Sequence, residues 1–261
     1  MQPSRPGRAQ RLDIMKLKVV GCGDAFGSGG RGNSCFLLTS QGHKATLDFG
    51  ASALVNFNRF NMSSADIDTV FISHLHGDHF GGIPFLLLDG QFVHLRERPL
   101  AIVGPPGTRA RLTAAMEVLF PGMGEIDWRF AWSVTEVEPG STSRHGALTL
   151  TTAAVVHPSG APSTALRLED GARTLAFSGD TQWTDALLPI AQGADLFICE
   201  SFAFEGEPYG HLAYRTIAHR RADLGARRIL LTHMGDAMWA RRGEVDPTHF
   251  IVAEDGLELD I

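Results

Sequence analysis

The sequence predicts an α/β protein in which β-sheets are covered by helices. Short runs rich in β-branched and aromatic residues recur along most of the chain, for example LKVVGCG (17–23) and DTVFIS (68–73). Single stretches with helical apolar spacing interrupt them, such as PGTRARLTAAMEVLF (106–120), with a proline near its start. Hydrophobic content of 44% and charged content of 20% describe an ordinary globular protein. No apolar run approaches the roughly 18 residues that would suggest a membrane span.

In chain order, residues 17–23 read as a buried strand entering a glycine-rich loop, GCGDAFGSGGRGN (21–33). SCFLLTS (34–40) and KATLDFG (44–50) read as two strands of a hairpin turning at QGH. A helix is expected over 51–60, a strand over 68–73, a single helix from about His79 to Val93 and a strand over 98–105. After the helix at 106–120, the region 128–177 is β-rich: ALTLTTAAVV (147–156), STALRLED (163–170) and RTLAFSGD (173–180). Strand and helix then alternate, with helices over 184–192 and 211–225, strands over 195–201 and 227–233, and a closing hairpin over 249–261.

Residues 1–14 are polar and basic with no apolar segment behind them, so they read as a disordered leader and not as a signal peptide. Residues 15–261 are expected to form one domain. Three cysteines (Cys22, Cys35 and Cys199) with no CxxC pair support neither a disulfide framework nor a cysteine-rich zinc site, and imply a reducing, cytoplasmic setting. The net charge of −6 argues against a long polyanion as partner.

The chemistry concentrates in His74-Leu75-His76-Gly77-Asp78-His79. With 11 histidines in the chain, a chance H-x-H-x-D-H is on the order of one in a thousand. A lone histidine is usually a satisfied structural residue. Three imidazoles and a carboxylate side by side are costly to bury unless a divalent cation orders and neutralises them. Imidazole and carboxylate suit zinc, and manganese or iron also accept the set. His74 and His76, two apart in an extended segment, point to one side, whereas Asp78 and His79 start a helix beyond the Gly77 bend. Two convergent pairs suggest two metal ions.

TVFISHLHGDHFGGIP (69–84) resembles the signature of the metallo-β-lactamase superfamily. That resemblance implies an αββα sandwich, two facing sheets of mixed or mostly antiparallel strands with helices outside, and a metal site at the sheet edges. It also implies further ligands in chain order: His157 before Pro158, Asp180 in FSGDT as the carboxylate bridging both metals, and His233 in ILLTHMGD. VVGCGDAFGSGGRGNSC (19–35), HPSGAPSTALRLED (157–170) and the segment from ICES to ILLTH (198–233) are similar to the ribonuclease Z-like phosphodiesterase branch. Carried over from that branch, Glu200 would orient His211, and His211 would act on the phosphate or the leaving oxygen. Taken singly, Glu200 is a strand-end carboxylate and His211 a helix-start residue.

The resemblance thus implies a dinuclear metal-dependent hydrolase. His74, His76 and His157 would hold one ion, Asp78, His79 and His233 the other, with Asp180 shared and Asp78, His211 and Glu200 serving catalysis. Only ten residues (201–210) separate Glu200 from His211, too few for the long arm with which tRNA-processing relatives grip tRNA. A small cyclic or nucleotide-like phosphodiester is therefore the expected substrate, with no long nucleic acid and no membrane as partner and a homodimer left open. Carboxylic, thio- or sulfate ester and lactone hydrolysis, and tRNA 3′-end cleavage, are the alternatives on the same metal site. Ser28, Asn33, Ser163 and Thr164 are candidate hydrogen-bonding contacts to substrate, and Phe202 or Phe204 a candidate ring contact. His43, His94, His145, His219 and His249 read as structural or exposed.

Overall fold

The computed structural model describes residues 14–206 and 208–261; residues 1–13 of the expected leader lie outside them. In chain order the strands are β1 (Lys16–Gly21), β2 (Cys35–Ser40), β3 (His43–Leu47), β4 (Thr69–Phe71), β5 (Leu100–Gly104), β6 (Trp132–Glu136), β7 (Thr142–His145), β8 (Leu148–Ala154), β9 (Thr164–Glu169), β10 (Thr174–Phe177), β11 (Leu196–Glu200), β12 (Ile229–Thr232), β13 (Phe250–Val252) and β14 (Glu258–Asp260). The helices are α1 (Ala53–Arg59), α2 (Gly77–Phe80), α3 (Ile83–Phe92), α4 (Thr108–Leu119), α5 (Leu187–Ala191), α6 (Tyr214–Leu224) and α7 (Asp236–Ala240). The strands make two seven-stranded sheets, ordered β14-β1-β2-β3-β4-β5-β6 and β13-β12-β11-β10-β9-β8-β7.

Three apolar layers show how the sheets stack. Between the sheets, Leu17, Phe36, Leu38 and Phe71 of the first meet Leu150, Leu166, Phe177, Ile198 and Leu230 of the second. Phe36 and Phe177 bring their ring centroids within 5.6 Å across this layer. Outside the first sheet, α1, α3 and α4 bury Phe57, Leu86, Leu112 and Met116 on Val20, Val70 and Ile102. Outside the second, α5 and α6 bury Leu187, Ile217 and Leu224 on Ala176, Phe197 and Leu231. The result is the expected αββα sandwich. Strand β11 (LFICE) is buried along its whole length because both of its faces are covered, so it reads as a continuous apolar run without alternation.

Local chemistry explains most elements. The β2–β3 hairpin pairs Ser40 with His43, and Gln41 and Gly42 both take positive φ (49° and 77°), the twist a two-residue hairpin turn needs. Two expectations are corrected. The single helix over 79–93 is two helices, α2 and α3, interrupted at Gly81–Gly82; a Cβ on Gly82 would meet the Gly50 carbonyl at 2.3 Å, so the chain bends there to pass β3's exit. The closing hairpin is a crossover: β13 runs parallel to β12 in one sheet, and β14 pairs antiparallel with β1 in the other. The connecting turn presents Asp255, which accepts hydrogen bonds from the backbone of Cys22 (3.1 Å) and Gly32 (2.7 Å) and from Asn56 Nδ2 (3.1 Å). It thereby anchors both ends of the glycine-rich loop.

The helix expected from His211 begins at Tyr214, and a bridge between Ala203 and Ala213 closes the preceding loop. None of the helices is long and apolar enough to cross a membrane among the described residues.

Candidate metal centre

Strand direction gathers the candidate ligands. β3, β4 and β5 are mutually parallel, as are β10, β11, β12 and β13. β8 is antiparallel to β9 and β9 to β10, so β8 runs with β10. Asp48, the His74–His79 segment, His157, Asp180, Glu200 and His233 all follow, or end, strands of these sets. They therefore meet at one edge of the sandwich, the carboxyl-end position at which α/β folds bind ligands.

Two donor groups form there. One ligand atom from each of His74, His76 and His157 lies within 4.8 Å of the others, and the same holds for Asp78, His79, Asp180 and His233. Asp180 Oδ2 sits between them. It is 3.8 Å from His74 Nε2, 3.9 Å from His157 Nε2, 3.3 Å from His79 Nε2 and 3.2 Å from His233 Nε2. The Nε2 atoms of His74 and His79 are buried yet make no hydrogen bond among the described residues. Orphaned buried nitrogens beside carboxylates fit a bound cation, because nothing else here satisfies them.

The surrounding groups fix tautomers. His79 Nδ1 donates to Asp48 Oδ2 at 2.6 Å, and Asp48 also accepts from the Ser73 backbone (2.7 Å) and hydroxyl (2.9 Å). Ser73 Oγ in turn lies 3.0 Å from His74 Nδ1. His157 Nδ1 donates to the Gly210 carbonyl at 2.7 Å. Outer hydrogen bonds of this kind turn the remaining nitrogen toward a metal. Gly210 has φ +78°, and its carbonyl approaches His157 at a point where an added Cβ would stand 3.1 Å from the ring. His233 is held by its backbone N–H to Cys22 O (3.0 Å), which ties the end of β12 to the glycine-rich loop. Asp48 and His233 both adopt left-handed backbone (φ 58° and 54°), uncommon for residues with a Cβ and typical of functional sites.

Protonation follows from burial and charge. Burial pushes His74 and His157 down, and His233 down to about 4, so these rings carry free lone pairs at neutral pH. Burial pushes Asp180 up, but the charges of His233 and His79 outweigh it and hold the carboxyl well below its ordinary value. Burial also opposes charge on His79, yet Asp180, Asp78 and Asp48 raise its proton affinity well above normal. This is a place built to stabilise positive charge.

Beside the donors stands the pair Glu200 and His211. His211 Nδ1 donates to Glu200 Oε1 at 3.1 Å, and the same carboxylate accepts from the backbone N–H of Thr181 (2.6 Å) and Leu212 (3.1 Å). Burial raises Glu200 to about 7, Asp180 adding to the rise while the His211 hydrogen bond opposes it. For His211, burial favours the neutral ring, but Glu200 outweighs it and the proton affinity rises. Phe202 stacks on the imidazole, with centroids 4.7 Å apart and planes at 24°. His211 Nδ1 is 3.9 Å from Asp180, and His211 forms a third donor group with His157 and Asp180.

The structure thus brings together every residue of the expected ligand set and the Glu200–His211 pair. It does not do so for the expected substrate contacts. Ser28 bonds to Asp24, Asn33 to Asp24 and Ser52, Ser163 to Ser159 and the His157 carbonyl, and Thr164 to the Ser73 carbonyl, so their polar atoms serve the fold. Phe204 is buried against Tyr214 and beneath Arg241. His43, His94, His145 and His249 bond to Thr69, Asp89, Ser143 and Asp246, as structural residues do. Asp48 and Ser73 escaped the sequence reading. The one signal for Asp48 was a carboxylate closing a short β-rich run, KATLDFG.

Two sheets in an αββα sandwich with this ligand edge define the class, a metallo-β-lactamase-fold metallo-hydrolase of the ribonuclease Z-like branch. Over residues 15–255 the chain matches, and belongs to, the family described as Anti-Pycsar protein Apyc1. It is similar to an uncharacterized protein of Mycobacterium tuberculosis, at 30% identity over 94% of this chain and 92% of that one. It is also similar to ribonuclease Z of Methanosarcina acetivorans, at 25% identity over 95% of this chain and 98% of that one. The crystal structure of YhfI, a probable metallo-hydrolase of Bacillus subtilis, superposes with a TM-score of 0.73 at 23% identity, covering 95% of this chain and 99% of that one.

Proposed function

We propose that the protein is a phosphodiesterase acting on small cyclic or nucleotide-like phosphodiesters with two divalent metal ions, zinc foremost. His74, His76 and His157 would hold one ion, Asp78, His79 and His233 the other, and Asp180 both. The observation that carries this reading is the Glu200–His211 pair beside Asp180, a carboxylate whose Oδ2 lies within 4.0 Å of ring nitrogens of both donor groups. The relatives include a ribonuclease, whose bond is a phosphodiester. The chemistry the ions supply is activation of water and neutralisation of phosphoryl charge.

The chain's own groups do the rest. Asp48 fixes the His79 tautomer, and the Gly210 carbonyl fixes that of His157. Glu200 accepts the hydrogen bond of the His211 Nδ1–H, which leaves Nε2 as the working nitrogen. The raised proton affinity of His211 favours the imidazolium, suited to stabilising phosphate charge and to giving its proton to the leaving oxygen. The ten-residue connection after Glu200 carries no arm for a folded RNA, which favours a small substrate.

The test is turnover of metal-loaded protein on 2′,3′- and 3′,5′-cyclic nucleotides, bis-p-nitrophenyl phosphate, a tRNA precursor and a homoserine lactone. Hydrolysis of the phosphodiesters is expected; turnover of the lactone alone would overturn the reading. His211→Ala is expected to keep its metal content and lose turnover by about 10²–10⁴-fold. Loss of metal in that variant would make His211 a ligand instead.

A further inference from the structure

Two cavities, of about 810 and 670 Å³, are lined by residues such as Lys18, Lys44 and Met62, or His43, Arg98 and Trp132, and by none of the candidate ligands. A third, of about 310 Å³, has His211 as part of its wall, with Val156, Gln182, Trp183, Leu212 and Thr216 around it. We propose that this third cavity is the subsite for the heterocyclic base of the substrate, with Trp183 as its stacking wall and Gln182 and Thr216 as its polar edge. The inference rests on the phosphodiesterase reading and extends it from the reacting phosphate to the group that is recognised.

Position comes first. Val156 immediately precedes His157, and Gln182 lies two residues beyond Asp180; the Gln182 N–H donates to the Val156 carbonyl at 2.9 Å, joining the two segments. The cavity is thus built from the same two strand exits that present His157 and Asp180. His211 faces both, since its Nδ1 lies 3.9 Å from Asp180 and its ring helps to line the cavity. A phosphate at the donor groups would leave its attached ring a short step from this space. Phe202 does not compete for the role, because its ring is already stacked on His211.

Size and chemistry narrow the occupant. A volume of about 310 Å³ is at the small end of ligand pockets, suited to one ring system and its sugar and not to an oligonucleotide. The Trp183 N–H donates to Asp185 at 3.2 Å and the Arg220 guanidinium lies over one face of its ring, 5.1 Å from the centroid, so the indole has its opposite face and no donor left for the cavity. The Gln182 carboxamide and the Thr216 hydroxyl belong to residues of the cavity wall. Leu212 and Ala213 complete an apolar side. An aromatic wall with an amide and a hydroxyl at the edge matches a planar ring with polar edges. An acyl chain would leave Gln182 and Thr216 unpaired.

Trp183→Ala tests this in two ways. KM for a 3′,5′- or 2′,3′-cyclic nucleotide is expected to rise about tenfold, the weight of a lost base–aromatic stack, and by less than about threefold for base-free ribose cyclic phosphate. Trp183→Phe should restore most of the affinity, as a structural role for the indole would not. Equal KM changes for the two substrates overturn the subsite and leave the phosphodiesterase reading standing. Calorimetric binding of a nucleoside 5′-monophosphate against ribose 5-phosphate, on metal-loaded wild type and variant, reads the subsite without turnover. A base contribution that vanishes in Trp183→Ala supports the subsite even where no hydrolysis occurs; equal binding of the two ligands by wild type overturns it.

Discussion

The two sheets contribute to the metal centre in opposite ways. The first delivers its donors from one loop, where His74, His76, Asp78 and His79 follow β4 within six positions. The second delivers His157, Asp180, Glu200 and His233 singly, one after each of four strands. A contiguous loop fixes donor spacing by its own backbone. Dispersed donors depend on strand register, so their geometry is only as good as the sheet behind them. The second sheet also supplies the residue common to both halves, Asp180, whose oxygen is within 4.0 Å of ring nitrogens from both sheets. One sheet therefore provides the density of candidate ligands, and the other the junction between them.

That contrast can be broken first at the junction. Asp180→Asn keeps the shape and removes the charge, and it is expected to lower turnover by about 10³-fold or more and to reduce metal content at both positions, measured by elemental analysis. Retention of full metal content would show that the halves bind independently. A smaller effect is expected behind the contiguous loop. Asp48→Ala removes the acceptor for His79 and should weaken metal affinity by about 10–100-fold in a chelator competition. The smallest is Ser73→Ala, which leaves the Asp48–His79 bond in place and removes two hydroxyl contacts. It should lower affinity by only about threefold, within the weight of one net hydrogen bond. If Ser73→Ala matched Asp48→Ala, the serine and not the carboxylate would be the group that orients the rings.

Legibility in the sequence followed the same divide. HLHGDH could be read from spacing alone, because four metal-type side chains in six positions have no bland explanation. His157, Asp180 and His233 look like ordinary strand-end residues, and only the ordered resemblance picked them out. Asp48 was invisible because one carboxylate after an apolar strand is also what a turn looks like. The error at 249–261 has a physical source too: the chain does turn where the Leu257 N–H donates to the Glu254 carbonyl, but a turn does not say which sheet the chain rejoins. The break between α2 and α3 went unread because leucine and phenylalanine on either side of Gly81–Gly82 continued the apolar run.

The crossover that replaced the expected hairpin bears on timing. Its Asp255 holds Cys22 and Gly32, and Cys22 in turn holds His233 through the backbone. In a chain made from its N-terminus, the histidine loop of the first sheet emerges early and the anchor for the opposite side emerges some 175 residues later. Between those moments the early histidines have Asp48 and Ser73 beside them but lack the donors of the second sheet. A donor set drawn from both sheets would therefore be complete only once the last strands have docked.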